Sequence, residues 1–496
     1  MSSQSKKVAL LRDRLYVPIE HVTDEMLEAY QTKIEVGVDP YTEEPIHQTY
    51  AHYEQIRISH DTGMIAFNRG DMRKIPEVFK DFQIVDERVQ VPMEAPLKIE
   101  FPEGKDWRDY QPDAVDQMAS HDFGVLQAPP RSGKTLMITG SICLQQQKTI
   151  VFAHQTDLLL QLHDTFEEFT NLKELRKLTG KKIVGFAETW EDFDTLDVVL
   201  CTKQTFDHID NKKWAAIMQR KFGAVWVDES HYLGGEVYSR LINRFWAYSR
   251  QGVTATVHRK DGLDAIVEGI IGPVIHKIER SVVGQVQMEV LVIPTRMKAD
   301  GVFAKILTTL SENEARNKLI LGWMRKDVEA GHTIIAVTDR KQHGIELSKA
   351  LGEFGITSVV FNGNVQDKNY RKNILDSVRT GKAKVMIGMR SMTTGLDVPR
   401  ADCFYNLLPS ANAVKKGENA GEGGYEQQCT RVMTPFPNKE KALVRDFVDD
   451  FGMSYACYKQ REKTYNRLGA KIIREGQGEI KPKRTATASA KDSTSF

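Results

Sequence analysis

Two short segments of the chain have the residue types and spacing to bind and hydrolyse a nucleoside triphosphate. Residues 128–135 read APPRSGKT, which fits the phosphate-binding pattern G-x-x-x-x-G-K-[ST] except that Ala128 replaces the first glycine. In such a loop, backbone N–H groups and a helix N-terminus bind the phosphates, Lys134 contacts the β- and γ-phosphates, and Thr135 ligates Mg²⁺. Apolar residues on both sides predict a buried strand before the loop and a helix after it. The residues predicted to bind ATP here are Pro130, Arg131, Ser132, Gly133, Lys134 and Thr135.

The second segment, residues 225–231, reads VWVDESH and places two adjacent carboxylates after an apolar stretch. The stretch is typical of a central strand in a parallel sheet, and ligands bind at the carboxyl ends of such strands. We expect Asp228 to hold Mg²⁺ through water, Glu229 to polarise the attacking water, and His231 to relay the state of the nucleotide. The alternative, a solvated acidic turn, fits an isolated Asp-Glu pair better than a pair that follows a buried strand. Together with Lys134, these carboxylates predict catalysis of Mg-ATP hydrolysis.

Residues 228–231 (DESH) resemble the DExH box of the superfamily 2 helicases and translocases, and further motifs of that family follow in order. Residues 107–111 (WRDYQ) resemble its adenine-recognition element, 151–155 (VFAHQ) and 201–205 (CTKQT) resemble motifs Ia and Ib, and 252–256 (GVTAT) resemble motif III. The resemblance implies that Gln111 hydrogen-bonds the adenine and that Arg108 stacks on it. It implies contacts with the nucleic-acid backbone by His154, Gln155, Thr202 and Thr205. It implies coupling between the two sites by Thr254 and Thr256, together with His231.

The second half of the chain continues the series. Residues 334–340 (IIAVTDR) resemble motif IV, 361–363 (FNG) the turn after it, 392–399 (MTTGLDVP) motif V, and 427–431 (QQCTR) motif VI. The resemblance implies nucleotide contacts by Gly395 and Asp397 and a catalytic role for Gln427. It implies nucleic-acid contacts by Arg259, Lys260, Thr338, Arg340, Asn362, Gly363 and Thr394.

Motif VI departs from the family pattern Q-x-x-G-R-x-x-R, because Thr430 replaces the glycine and Thr434 the second arginine. That second arginine often contacts the γ-phosphate as an arginine finger, which contributes about 10³ to 10⁵ in rate. Arg431 is the one arginine left at a motif position, so we assign the finger to it, with Arg445 as the less favoured substitute. Without any finger, the chain would be a degenerate motor that uses ATP only as a clamp.

Composition restricts the class of protein. With 496 residues, 41% hydrophobic and 27% charged, the chain has the make-up of a globular protein of more than one domain. No apolar run approaches the roughly 18 residues of a membrane span, and the first residues lack the apolar stretch of a signal peptide. Five scattered cysteines argue against disulfides and zinc and predict a reducing compartment. We therefore expect a cytoplasmic monomer, in the host cytoplasm if phage-encoded. A net charge of +1 predicts a local basic channel balanced by acidic outer faces.

The motifs and the hydrophobic pattern divide the chain into four regions. We predict a small α+β accessory domain over residues 1–100, two tandem RecA-like lobes over 101–290 and 291–460, and a largely disordered extension over 461–496. Each lobe is expected to be α/β, a parallel sheet with helices on both faces, with ATP bound in the first. In the N-terminal region, strands are predicted at 8–11 and 15–18, helices at 24–30 and 74–81, and a hairpin at 55–67. Its basic residues make it either a duplex-binding domain or a structural cap on the first lobe; these are Arg57, Arg69, Arg73 and Lys74.

The resemblance is strongest to bacteriophage-encoded helicases that remodel branched DNA in recombination and replication. It implies an ATP-dependent DNA helicase or translocase that unwinds or branch-migrates forked, branched or single-stranded DNA. A duplex DNA translocase that does not separate strands is the first alternative. An RNA helicase is the second, but it is less favoured because the box is DESH rather than DEAD and the Pro-Thr-x-x-Gln adenine element is missing.

Overall fold

The structure is a computed structural model that describes residues 7–38, 45–57, 63–207, 220–234, 236–255, 264–279, 283, 286–361, 368–389, 398–410 and 423–475. The chain forms two units, Met1–Val283 and Gly284–Phe496. The first unit holds an N-terminal α+β region and a parallel sheet, and the second holds another parallel sheet. In the described ranges, no helix has both the length and the apolar composition needed to cross a membrane.

The N-terminal region is a small α+β fold. Its strands are β1 (Lys7–Leu11), β2 (Leu15–Pro18), β3 (Gln31–Val38), β4 (Pro45–Ala51), β5 (Tyr53–Arg57), β6 (Gly63–Phe67) and β7 (Phe82–Asp86), and its helices are α1 (Asp24–Ala29) and α2 (Ile75–Val78). A 3-10 turn at Arg69–Lys74 precedes α2. Five strands form one sheet in the order β5-β6-β2-β1-β7, while β3 and β4 pair in a separate antiparallel ribbon. Aromatic rings of Tyr30, Phe67 and Phe79 pack edge-to-face in its core.

The first parallel sheet, lobe 1, follows the N-terminal region in the same unit. Its strands are β8 (Phe123–Gln127), β9 (Thr149–Ala153), β10 (Val184–Phe186), β11 (Val198–Thr202), β12 (Ala224–Asp228), β13 (Ser249–Thr254) and β14 (Val274–Lys277). Its helices are α3 (Gln111–Ser120), α4 (Lys134–Gln145), α5 (Thr156–Phe169), α6 (Leu172–Thr179), α7 (Asp192–Thr195), α8 (Lys203–Asp207), α9 (Glu236–Ile242) and α10 (Asp264–Ile271). The strand order is β10-β11-β9-β12-β13-β8-β14, with every pair parallel.

The second parallel sheet, lobe 2, forms the other unit. Its strands are β15 (Met288–Pro294), β16 (Ile334–Thr338), β17 (Ser358–Phe361), β18 (Val385–Met389), β19 (Cys403–Asn406), β20 (Ala442–Val448) and β21 (Lys471–Arg474). Its helices are α11 (Phe303–Glu312), α12 (Glu314–Glu329), α13 (Lys341–Glu353), α14 (Lys368–Arg379), α15 (Gly423–Cys429) and α16 (Gly452–Arg467). The order β17-β18-β16-β19-β20-β15-β21 is again parallel throughout.

The two lobes share one topology. If the seven strands of each lobe are lettered a to g along the chain, both sheets have the order c-d-b-e-f-a-g. In lobe 1 the side chain of Trp226 belongs to one core, while Val225 and Val227 belong to the core on the opposite face. Helices therefore cover both faces, which explains why these strands are apolar at nearly every position. The predicted fold class, two parallel α/β lobes with a small α+β region before them, is confirmed.

Buried guanidinium groups join the N-terminal region to lobe 1. Arg69 is 1% exposed, and its Nη1 donates to the carbonyls of Ala247 (2.6 Å) and Arg12 (3.2 Å). Arg250 in β13 is equally buried, and its Nη2 donates to the carbonyl of Asp13 (3.0 Å) in the N-terminal region. Because a buried guanidinium without hydrogen-bond partners is very costly, these contacts fix the two parts against each other.

This interface bears on the basic residues that were considered for duplex binding. Arg69 cannot reach a duplex without leaving its buried carbonyl partners. Lys74 donates to the carbonyl of Ala29 (2.7 Å) and pairs with Asp71 (3.2 Å). Arg73 is exposed, and the Arg57 side chain lies outside the described part of the structure. The structure thus favours the structural cap over the duplex-binding alternative.

The predicted C-terminal boundary is wrong. Residues 461–467 complete α16, and β21 adds to the sheet by parallel pairing with β15. Because this stretch is mostly polar, its sequence did not predict the strand, in which Ile472 and Ile473 are only partly exposed. Residues 411–422 and 476–496 lie outside the described ranges. In the N-terminal region, the predicted helix at 74–81 shortens to α2, and the β3–β4 ribbon and β7 were not foreseen.

Candidate ATP-hydrolysing site

The phosphate loop joins the end of β8 to the start of α4. Its first residue, Ala128, donates its N–H to the carbonyl of Thr254 at the end of β13 (2.9 Å), which ties the loop to a neighbouring strand. Gly133 has a φ of +79°, and a Cβ at that position would lie 2.3 Å from Nε2 of Gln111. Both the left-handed backbone and the lack of space therefore require glycine here. Lys134 is the first residue of α4, so the amides around it face the phosphate position at a helix N-terminus.

Three of the predicted catalytic residues, Lys134, Asp228 and Glu229, lie together at the carboxyl edge of lobe 1. Nζ of Lys134 donates to Oε1 of Glu229 at 2.9 Å, and both side chains are largely buried. The N–H of Glu229 donates to Oδ1 of Asp228 at 2.9 Å, and Glu229 has a left-handed backbone with a φ of +53°. The turn after β12 thus directs the two carboxylates differently, one of them toward the lysine.

Burial and mutual repulsion set the charges in this site. Burial, together with the neighbouring Glu229, raises the pKa of Asp228 to about 6. Burial also acts to raise the pKa of Glu229, but Lys134 and His231 outweigh it and hold that pKa well below its usual range. Conversely, burial acts to lower the pKa of Lys134, but Glu229 and Asp228 raise it overall. Glu229 and Lys134 are therefore an ionised pair, and Asp228 is a carboxylate in need of a cation.

The residues present fit a magnesium ion held jointly with a triphosphate. Mg²⁺ commonly takes one or two protein oxygens and completes its octahedron with phosphates and water. Asp228 supplies a buried carboxylate whose pKa is raised by burial and by the neighbouring Glu229, and Thr135, the second residue of α4, supplies a hydroxyl. In the described residues, no group of three or more His, Cys, Asp or Glu side chains could hold a metal without such help.

The predicted adenine-recognition element braces the phosphate loop. Nε2 of Gln111 donates to the carbonyl of Ser132 (2.9 Å), and its Oε1 accepts from the N–H of Arg108 (3.0 Å). Nη1 of Arg108 donates to the carbonyl of Arg131 (2.7 Å). Tyr110, to which the sequence had assigned no role, donates its hydroxyl to the same Ser132 carbonyl (3.1 Å). Adenine contacts by Gln111 and Arg108 remain predictions.

Two of the predicted coupling residues are in contact. Nδ1 of His231 lies 3.0 Å from Oγ1 of Thr254 and 3.3 Å from Oε2 of Glu229. A continuous chain of polar contacts thus runs from Lys134 through Glu229 and His231 to the end of β13. Thr256, the third predicted coupling residue, lies outside the described residues.

Four of the predicted nucleic-acid contacts of lobe 1, His154, Gln155, Thr202 and Thr205, lie at the same edge of the sheet as Asp228. His154 and Gln155 follow β9, which pairs with β12. Burial lowers the pKa of His154, and Glu229 is among the charges that act on it. Thr202 ends β11, and its Oγ1 lies 3.0 Å from Oγ1 of Thr205, so the two hydroxyls close a short turn. These positions agree with the proposed roles but do not test them.

In lobe 2 the motif IV residues face inward. Thr338 is 2% exposed, and its Oγ1 lies 3.1 Å from Nδ1 of His343. Arg340 donates from Nε to Oγ1 of Thr308 (3.0 Å) and from Nη2 to the carbonyl of Ala304. The bonds of Arg340 tie motif IV to α11, and the burial of Thr338 together with its contact with His343 weighs against a direct nucleic-acid contact by the Thr338 hydroxyl. The remaining predicted residues lie outside the described part of the chain: Arg259, Lys260, Asn362, Gly363, Thr394, Gly395 and Asp397.

Motif VI spans the end of α15 and the 3-10 turn that follows. Gln427 lies in α15, and Arg431 is a buried residue of the turn Thr430–Met433. Arg445, the less favoured candidate for the arginine finger, forms a bidentate ion pair within lobe 2. It donates from Nε and Nη2 to the two carboxylate oxygens of Asp327 at 2.8 and 2.7 Å. Arg445 is therefore a structural residue of lobe 2, and Arg431 remains the candidate for the finger.

The fold and site define a two-lobed P-loop ATPase. A model of the type III restriction enzyme res subunit matches residues 104–259, and a model of the helicase conserved C-terminal domain matches residues 314–434. With both domains in this order, the chain is a superfamily 2 helicase, an enzyme that hydrolyses ATP.

Curated relatives have low sequence identity to this chain but match more than two thirds of its length. The DNA 3'-5' translocase XPB2 of Sulfurisphaera tokodaii is 24% identical over 68% of this chain and 81% of that protein. L396 of Acanthamoeba polyphaga mimivirus, whose name suggests an ATP-dependent RNA helicase, is 24% identical over 69% of this chain and 63% of that protein. The probable helicase D10 of Escherichia phage T5 is 21% identical over 79% of this chain and 81% of that protein.

Solved structures agree on the fold. Dbp5 of S. cerevisiae, in a structure with RNA and ADP BeF3, superposes with a TM-score of 0.54 at 15% identity, over 73% of this chain and 89% of that one. At that identity the likeness concerns the fold alone.

Proposed function

We propose that this protein is an ATP-dependent DNA helicase or translocase that moves along one strand and so unwinds or branch-migrates forked and branched DNA. The observation that carries the proposal is the chain of contacts from Lys134 through Glu229 and His231 to Thr254. Thr254 ends β13 and precedes the segment that holds Arg259 and Lys260. A change at the phosphate site thus has a short route to predicted nucleic-acid contacts.

The ion pair between Lys134 and Glu229 suggests how ATP starts the cycle. The phosphates of ATP are anionic and compete with Glu229 for Lys134. Once released, Glu229 is free to orient and polarise the attacking water, and its 3.3 Å contact with His231 changes with it. Asp228 and Thr135 would hold Mg²⁺, which supplies charge neutralisation for the phosphates when bound. Thr254 then receives the change through the His231 imidazole.

DNA is favoured as the track. This chain matches about four fifths of the length of two relatives. One is named as a DNA translocase of Sulfurisphaera tokodaii and the other as a probable helicase of a bacteriophage. We propose a role in recombination or replication, in which branched DNA is the substrate, from the resemblance of the motifs to those of bacteriophage helicases. Unstacking a dozen pairs without re-pairing costs above about 15 kcal/mol, whereas trading one duplex for another is nearly balanced, so a modest motor could drive branch migration over long distances; energetics do not choose between the two activities.

Strand-displacement and branch-migration assays test this proposal. Labelled forks and four-way junctions would be incubated with the protein, with and without ATP and Mg²⁺. We expect ATP-dependent release of strands, abolished in Lys134→Ala. ATP hydrolysis that DNA stimulates, without release of any strand from either substrate, would instead support the first alternative.

That alternative is a translocase that moves on duplex DNA without separating it. It is supported by the match to a restriction-enzyme subunit and by the translocase name of the archaeal relative. Displacement of a triplex-forming oligonucleotide from an unbranched duplex would identify it. An RNA helicase is the remaining alternative, supported by the name of the mimivirus relative. ATPase stimulation by RNA alone would reveal it.

We also propose that Arg431 supplies the arginine finger, with Gln427 beside it in motif VI. Arg431→Ala is expected to lower DNA-stimulated turnover by about 10³-fold or more. Arg325→Ala is a suitable control, because Arg325 lies on the exposed side of α12, where it pairs with Glu329 and lies over the ring of Phe354. Turnover near wild type in Arg431→Ala would remove this residue from the site.

We propose in addition that the protein acts as a monomer in the cytoplasm, in the host cytoplasm if it is phage-encoded. The five cysteines are all buried and unpaired by disulfides, as suits a reducing compartment. Light scattering on the purified protein at working concentration, with and without forked DNA, would measure the oligomeric state. A mass twice that of the chain in either state would contradict the monomer.

A further inference from the structure

Motif VI departs from its family at two threonines, and both hydroxyls help to build the turn that holds Arg431. Oγ1 of Thr430 donates to the carbonyl of Glu426 (2.8 Å), one helical turn earlier in α15. Oγ1 of Thr434 donates to the carbonyl of Arg431 itself (3.1 Å). The residue that replaces the second arginine of the family pattern therefore fixes the main chain of the arginine that remains.

The main chain of Thr434 is in turn held by the side chain of Lys439. Its Nζ donates to the carbonyls of Pro399 (2.8 Å), Ala401 (2.7 Å) and Thr434 (2.8 Å). An ammonium has three N–H groups, so it can donate one to each of these oxygens. Pro399 is the last residue of motif V, and Thr434 occupies the last position of the motif VI pattern. A single side chain thus joins the ends of two motifs of lobe 2.

The backbone after motif VI turns back and so brings Lys439 to this position. Asn438 has a left-handed backbone with a φ of +64°, and the N–H of Lys439 donates to the carbonyl of Phe436 (3.0 Å). Asparagine is one of the few residues that adopt this conformation readily. The guanidinium of Arg400 lies over the Phe436 ring, with Cζ 5.2 Å from the ring centroid. Arg400 stands between the two carbonyls that Lys439 contacts after motif V, so the two segments meet at a second point.

Lys439 lies beyond the residues that the two family models match, which end at 259 and at 434. Its ammonium takes up carbonyls just after the 3-10 turn Thr430–Met433, where a cation is favoured because the last carbonyls of a helical turn lack partners within it. Without the ammonium, the carbonyl of Thr434 would lose its contact with the end of motif V. The turn that holds Arg431 would then lose a restraint at its C-terminal end.

We propose that Lys439 is a positioning residue that acts on ATP hydrolysis through Arg431. Lys439 fixes the main chain of Thr434 against the end of motif V, and the Thr434 hydroxyl fixes the main chain of Arg431. A catalytic group must be held close to its productive position, since a displacement of about 1 Å can cost about a hundredfold in rate. This inference rests on the proposed function, because Arg431 is itself the proposed arginine finger.

Lys439→Met tests the proposal, because it removes the ammonium and keeps the length of the side chain. Lys441→Met is the matched control, since Lys441 lies two residues further on and pairs with Glu289 (3.4 Å) at the surface. Both variants would be compared with Arg431→Ala and with the double variant Lys439→Met/Arg431→Ala. The measurements are DNA-stimulated ATP turnover, melting temperature, and calorimetric affinity for Mg-ADP with and without aluminium fluoride, which makes the complex a transition-state analogue.

We expect Lys439→Met to lower turnover about tenfold to a hundredfold and to weaken binding of the aluminium fluoride complex by a similar factor. Affinity for ADP alone should not change, because an arginine finger contacts the transferred phosphoryl group, which ADP lacks. The double variant should lose no more turnover than Arg431→Ala alone, since both changes act on one group. Lys441→Met should behave as wild type.

Lys439→Met that melts earlier yet binds the aluminium fluoride complex normally would overturn the proposal and leave Lys439 a structural residue. A double variant in which the two losses of turnover multiply would overturn it as well, because Lys439 would then act apart from Arg431. Should Lys439→Met fail to fold, Thr434→Val removes the other link to Arg431 and keeps the shape of the side chain. Normal turnover and normal affinity for the complex in Thr434→Val would count equally against the proposal. Normal turnover in Arg431→Ala would instead refute the proposed finger itself.

Discussion

Replacing Glu229 by glutamine should have two opposite effects on the ATP cycle. Without ATP, Glu229 is the partner of Lys134 at 2.9 Å, and ATP must displace it from the lysine. Glu229→Gln removes a charge that both attracts Lys134 and repels the phosphates. It also removes the carboxylate that we propose polarises the attacking water. The variant should therefore bind ATP more tightly and hydrolyse it more slowly.

The expected size follows from the geometry. Two unit charges 2.9 Å apart attract each other by about 6 kcal/mol at an effective dielectric constant of about 20. Most of that is offset by solvation and by the new contacts of Lys134. The net value for a hydrogen bond between charged groups is about 1.5 to 3 kcal/mol. Affinity for a non-hydrolysable ATP analogue should thus rise by about tenfold to a hundredfold, while turnover falls by about 10² to 10⁴.

Isothermal titration calorimetry measures the affinity of the protein for a non-hydrolysable ATP analogue, and the rate of phosphate release measures ATP turnover. Glu94→Gln is the matched control in the same unit, because Glu94 pairs with Lys181 at 2.8 Å on the exposed surface. The control should change neither quantity. A folded Glu229→Gln protein whose analogue affinity is unchanged or weaker would refute the reasoning, since the ion pair would then not oppose nucleotide binding.

Other predictions concern the buried charges. Arg445→Ala should lower the free energy of unfolding by about 3 to 5 kcal/mol, because it removes the cationic partner of the buried carboxylate of Asp327. Arg431→Ala should instead lower ATP turnover more than it lowers stability to denaturant. Equal losses of stability in the two variants would contradict a structural role for Arg445 and a catalytic role for Arg431. Arg69→Ala should lower the melting temperature without changing the DNA concentration that half-saturates the ATPase, and a large rise in that concentration would restore the duplex-binding alternative. Burial lowers the pKa of His343 to about 3. The unfolded chain takes up this proton near pH 6.5 and the folded chain does not, so stability should fall by about 1.4 kcal/mol per pH unit below 6.5. His343→Leu should flatten that acid dependence in urea titrations at pH 5 and 7.

The catalytic centre could be predicted because its signals are local. Each functional turn follows an apolar strand within a few residues, as with Asp228 after β12 and the phosphate loop after β8. In a parallel sheet the carboxyl ends of all strands meet at one edge, so residues distant in sequence are brought together by the topology alone. Lys134 and Glu229 are 95 positions apart in the sequence, and the order of the strands in the parallel sheet is sufficient to bring them into contact.

The roles of the arginines could not be predicted in the same way. Arg69, Arg340 and Arg445 stand in contexts that fit nucleic acid or a phosphate, yet each is held by protein groups. The carbonyl that Arg69 contacts lies 178 positions away, and the carboxylate that Arg445 contacts lies 118 positions away. A guanidinium binds phosphate, carboxylate and carbonyl with similar geometry, so sequence alone does not separate these partners.

The sequence alone was sufficient to establish an ATP-hydrolysing, two-lobed α/β protein. Its signals were the order of the motifs, the apolar strands before them and the glycine of the phosphate loop, and each of these depends on residues that are neighbours in the sequence. Only the tertiary structure decided three further features, namely the buried arginine contacts between the N-terminal region and lobe 1, the extra strand β21, and the pairing of Arg445 with Asp327. Burial makes an ionised group pair with whatever the fold places beside it, and that neighbour is set by the packing of elements far apart in the chain.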